Sequence, residues 1–80
     1  MSAVEALEAK RLLLQSSDEY RELADVHHRL DTRLHELGDR PHLSDADQLE
    51  EQTIKKRKLV LKDQMEDLAR AYVRSRAALA

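Results

Sequence analysis

The sequence predicts an all-α protein: an antiparallel, coiled-coil-like two-helix hairpin with a short N-terminal helical segment, packing as a four-helix dimer. Three observations predict it. The 80 residues include 38% charged side chains, two Tyr, no Phe or Trp, one Gly and one Pro, a composition of long helices rather than strands. Apolar residues recur at alternating steps of three and four in two separate stretches. Between those stretches stand the single Gly and the single Pro, Gly38 and Pro41, followed at once by a helix-start signal.

Residues 1–80 are read as one hairpin domain, since a chain this short seldom gains more than about 3 to 5 kcal/mol from a single core. Residues 1–15 are predicted as an N-terminal helical segment with Val4, Leu7 and Leu14 on one stripe and Leu12 and Leu13 widening it. At Ser16-Ser17-Asp18-Glu19 the apolar phase changes, because Leu14 to Tyr20 is a step of six that keeps no common face. Ser16 and Glu19 have capping-box spacing, so a kink or restart is placed at the serines, against one continuous helix that tolerates both.

The helix over 17–37 has the clearest pattern. Tyr20, Leu23, His27, Leu30, Leu34 and Leu37 step by 3, 4, 3, 4 and 3, an a/d seam with one polar member. Gly38 is predicted to supply a left-handed C-cap and Pro41 to block continuation, which leaves 38–43 as the tip loop. Ser44 and Asp47 repeat the capping spacing, and Asp45 and Asp47 suit the positive end of the next helix dipole. That helix, over 44–76, carries Ile54, Leu61, Met65, Leu68 and Tyr72, with Lys58 in the seam position between Ile54 and Leu61; 77–80 form a tail. A connection of about six residues is too short to carry the chain back along the first helix, so the two run antiparallel, with Tyr20 expected near Leu61 and His27 near Ile54.

The stretches "YRELADVHHRLDTRLHEL" and "KKRKLVLKDQM" resemble the YdcH-like family of small bacterial proteins, a family of unknown function. The family pattern is met in the first block by Tyr20, Leu23, His27, Leu30, Asp31, Leu34 and Leu37, and in the second by Lys58, Leu59, Leu61, Lys62 and Asp63. It covers roughly Asp18 to Leu68, with Tyr20 where Phe is usual and Gly38 where an acid is common. The resemblance implies antiparallel helices and no established activity.

Several function classes are weakened by what the sequence contains. Without cysteine there is neither a disulfide framework nor a thiolate zinc site. The longest N-terminal apolar run, Leu12-Leu13-Leu14, is far short of a leader or a span, so a cytoplasmic protein without a membrane segment is expected. No phosphate loop or nucleophile elbow is present, and a helical hairpin offers no ligand-sized cavity, so no enzyme, no catalytic residue and no cofactor is expected. His27, Asp31 and His35 fall at i, i+4 and i+8, a spacing open to a metal, but the preferred reading makes His27 a register residue and assigns no metal site. His28 and His42 add nothing to it.

The strongest candidate for partner binding is Lys55, Lys56, Arg57, Lys58 and Lys62, five cations in eight residues. Glu51, Glu19, Glu22 and Asp25 are expected near enough to neutralise them, and aromatic residues for base stacking are missing. Asp39, Asp45 and Asp47 give the tip an acidic character, although capping already accounts for two of them. Val26, Leu59, Val60 and Val73 are assigned to self-association, because a hairpin covers only one stripe of each helix. The reading is a non-enzymatic, homodimeric protein–protein interaction module that binds another protein as well as itself. The alternative is a nucleic-acid-binding or RNA polymerase- or ribosome-associated accessory factor using the basic stripe or the acidic tip.

Overall fold

Ser2, Ser17 and Ser44 each open a helix, and together they divide the chain. The computed structural model describes residues 2–79, with side chains through residue 78, and consists of α1 (Ala3–Ser16), α2 (Asp18–Gly38) and α3 (Asp45–Leu79), with no strand among the described residues. Met1 and Ala80, the outer ends of the expected 1–15 segment and 77–80 tail, lie outside the described residues.

The restart at the serines is present, one residue later than its capping signature. Ser17 is extended, its hydroxyl accepts the Tyr20 N–H at 3.1 Å, and its own N–H donates to the Leu13 carbonyl at 2.8 Å. One residue thus closes α1 and opens α2. Ser16 is instead the last residue of α1, with its hydroxyl donating to the Leu12 carbonyl at 2.9 Å. The last turn of α1 has no basic residue of its own, and Arg21 from α2 donates to the Leu14 and Gln15 carbonyls at 3.4 and 3.0 Å.

The left-handed cap expected at Gly38 is not formed. No glycine has a positive φ; Gly38 stays helical, and Asp39 follows in right-handed conformation with its N–H on the His35 carbonyl at 3.0 Å. A further turn bond from the Arg40 N–H to the Leu37 carbonyl at 3.2 Å satisfies the helix end without reversing the backbone. At the start of α3 the capping pair is reciprocal: Asp47 N–H to Ser44 Oγ at 3.1 Å, Ser44 N–H to Asp47 Oδ2 at 3.3 Å. The expected tail is also corrected, since α3 continues to Leu79 through Arg and Ala, residues that favour helix.

Packing is concentrated at two places. Leu37 and Ile54 are buried toward the α2–α3 connection. At the other end Ala9, Leu13, Tyr20 and Ala69 form a buried cluster on which Met65, Leu68, Tyr72 and Val73 pack. The N-terminal stripe is therefore inverted: α1 turns Ala9 and Leu13 inward and leaves Val4, Leu7 and Leu14 exposed. Small Ala9 and Ala69 allow close approach of the helices, and the Val4 stripe lies roughly opposite on the same helix.

Contacts run in opposite order along α2 and α3. Near the connection Arg33 is bidentate on Glu50, Nε at 2.7 Å and Nη2 at 2.9 Å. Farther along, Lys58 pairs with Asp31, and Tyr20 shares its cluster with Ala69. Tyr20 thus sits about one to two helical turns beyond the expected Leu61, at the level of Met65 and Ala69. The Arg33–Glu50 and Lys58–Asp31 pairs and the docking of α1 all accompany this register, which heptad spacing alone leaves open. The molecule measures 54 × 19 × 19 Å.

Candidate functional site

On α3, Lys55, Lys58, Leu59, Lys62 and Glu66 fall on one helical face. With Met65, Tyr20 and His27, and with Lys10 of α1, they line an open groove of about 620 Å³. The five-cation run is split by helix geometry. Lys55, Lys58 and Lys62 line the groove, while Lys56 and Arg57 project from other faces of α3. His27 is half-buried in this groove with Lys55, Lys58, Leu59 and Lys62 as fellow lining residues.

The lysines differ in what holds them. Lys58 is half-buried and donates to Asp31, which holds the Asp31 carboxyl below the ordinary carboxylate range. Lys10 donates to Glu66 across α1 and α3 and lowers the Glu66 carboxyl in the same way. Lys55 reaches Glu51 at 3.3 Å on the surface. Among the described residues no carboxylate forms an ion pair with Lys56, Arg57 or Lys62. Glu19, Glu22 and Asp25, expected to neutralise the stripe, make no such pair, and Asp31 takes that role from within the family motif. Tyr20 is 2% exposed, and burial raises its hydroxyl pKa.

His27, Asp31 and His35 do not converge. His35 Nδ1 lies 2.8 Å from the Asp31 carbonyl and 3.8 Å from its carboxylate, which turns to Lys58. No group of three or more His, Asp or Glu side chains gathers for a metal among the described residues. At the tip Asp47 is held by Ser44 and, at 2.8 Å, by Arg40, so the acidic character there is partly neutralised. Of the self-association residues, Val60 is 57% and Leu59 63% exposed, Val26 is half-buried, and Val73 packs on the α1–α2–α3 cluster as part of the monomer core.

Comparison with known families extends this picture. The profile of a family described as a protein of unknown function (DUF465) matches residues 20–69. The chain belongs to that family. It matches no curated protein and no solved structure. The DUF465 segment takes in nearly all of α2 and α3 as far as Ala69, so every groove residue except Lys10 lies within it and α1 lies outside. No helix among the described residues is long and apolar enough to cross a membrane.

Sequence reasoning missed Lys10 as a neighbour of the basic stripe, because nothing local reveals where α1 docks; Met65 and Glu66, three and four residues after Lys62 on the same helix, were within reach of helical spacing. It also missed Leu49, 69% exposed, although its spacing from Val60 was available: eleven residues is close to three whole turns.

Proposed function

We propose that this DUF465 chain is a non-catalytic, YdcH-like protein–protein interaction module whose α2 and α3 act as an antiparallel helical hairpin and whose outward α3 face joins two copies into a dimer. The observation that carries it is apolar exposure. Val4, Leu7, Leu14, Leu49, Leu59 and Val60 are all at least 46% exposed, a large apolar complement on a chain of 80 residues. Leu49 and Val60 share one outward stripe of α3, and a two-fold axis along such a stripe closes the assembly with four long helices. The coincidence of the matched segment, 20–69, with the motif residues from Tyr20 to Asp63 supports the YdcH-like assignment.

Sedimentation equilibrium at micromolar concentration tests the dimer. A dimer that Val60→Glu converts to a folded monomer is the expected result; a monomeric parent protein removes this reading. A nucleic-acid role is less well supported. Lys58 is engaged by Asp31, and Tyr20 in the groove is buried too deeply to stack on a base.

A further inference from the structure

We propose that the groove between α2 and α3 binds an acidic amphipathic helix of another protein, gripped by Lys55, Leu59 and Lys62. This rests on the reading of the chain as a protein-binding module and names the partner's chemistry. Lys58 and Lys10 are committed to Asp31 and Glu66, which hold the helices together. Lys62 has no ion-pair partner among the described residues, and Lys55 has only Glu51, an exposed surface pair that a ligand carboxylate readily exchanges. The available cations therefore stand seven residues apart, about 10 Å along the α3 axis, on either side of Leu59, which is 63% exposed.

That arrangement has a complement. A helix carrying acid-x-x-apolar-x-x-x-acid places one apolar side chain against Leu59 and Met65 and one carboxylate at each lysine. The groove's form favours such an occupant over a small molecule. It is open to solvent and its α3 lining runs from Lys55 to Glu66, about three turns, so a small ligand would leave much of it uncovered while a helix would lie along it. Nucleic acid is disfavoured because exposed Leu59 stands between Lys55 and Lys62 and the tyrosine ring is covered.

The probe is a synthetic helical peptide with the Glu-x-x-Leu-x-x-x-Glu pattern, titrated at low salt into the full ¹⁵N-labelled chain. Two controls run beside it: the same peptide with Lys for both Glu, and single-stranded DNA of equal charge to the acidic peptide. Expected are saturable shifts confined to residues lining the groove, at least a tenfold loss of affinity in the Lys55→Glu/Lys62→Glu variant, and a switch of that variant to the Lys peptide. Both lysines are exposed, and an unchanged melting curve verifies that the variant folds. No saturable shift with the acidic peptide up to millimolar concentration, equal binding of the two peptides, or tighter binding of DNA overturns the proposal. Val60→Glu, which breaks the dimer but lies outside the groove, should leave peptide binding in place, so loss of dimerisation and loss of the groove are separate results.

Discussion

Toward the tip, Leu37 and Ile54 are buried and Arg33 pairs with Glu50, and at the far end Ala9, Leu13, Tyr20 and Ala69 close a second cluster; between them, from Arg21 to Glu36 and from Lys55 to Leu68, no side chain is buried. The same heptad spacing runs through all three regions. What differs is the cover. In the middle, beyond the cluster that α1 closes, the seam leucines Leu30, Leu34 and Leu61 are only half-buried, and His27 and Lys58 add polar groups that require hydration or a charged partner, so the helices there border a groove instead of a core. Two buried ends joined by a half-buried middle leave one stretch accessible.

The largest expected effect lies at the tip. Leu37 is 0% exposed, and Leu37→Ala should cost about 2–5 kcal/mol, comparable to the whole stability of a domain this small. Leu30→Ala, at a half-buried middle position, should cost clearly less. Thermal melts of the two variants measure the contrast directly, and equal losses would mean that ends and middle are packed alike.

Acid should act on the pairs that tie the regions together. Asp31, Glu50 and Glu66 are held below their ordinary values by Lys58, Arg33 and Lys10, and Asp47 by Arg40. The folded chain therefore binds protons less readily than the unfolded one. Stability from these groups is full above the ordinary carboxylate range and is lost as pH falls below about 4.5 through the lowered values. Melting temperature followed from pH 7 to 3 should fall at the acid end, and less steeply in high salt because all four pairs are solvent-accessible. A flat profile would show that the pairs contribute nothing.

Smaller effects sharpen the contrast at the helix ends. Ser17→Ala removes the cap that starts α2 and should cost about 1 kcal/mol, whereas Ser16→Ala should change stability little, since Ser16 caps nothing. Gly38→Ala should raise stability by about 0.5 kcal/mol, because Gly38 is helical and an added Cβ meets nothing within 4 Å. A loss there, on chemical denaturation, would indicate that the chain end does use a left-handed turn.

Much of this architecture was legible in local spacing, and the reasons are specific. Seam periodicity found α2, the Ser44–Asp47 pair marked the start of α3, and the phase change at the serines located the break after α1. The face that α1 presents was not legible. Its residues Val4, Leu7 and Leu14 make the stronger stripe, but docking selected the face on which small Ala9 shares a cluster with Ala69, and Leu13 is buried with them. The groove was half legible: the cation run was plain, but that Lys58 is taken depends on Asp31, 27 residues before it, and that Lys10 joins the lining depends on the docking of α1, which pairs it with Glu66 56 residues on. Gly38 misled because glycine at a helix end commonly reverses the chain, and here Pro41 stops the helix without that reversal.

The 35-residue α3, at about 1.5 Å per residue, by itself accounts for nearly the full 54 Å of the long axis. The particle is almost three times as long as it is wide. Such a rod experiences more friction than a sphere of equal mass, so a single copy elutes early from a gel-filtration column and can pass for a pair. Its tumbling is also anisotropic: amide relaxation rates will depend on the angle each N–H makes with the α3 axis, and one copy can be told from two by diffusion tensor as well as by mass.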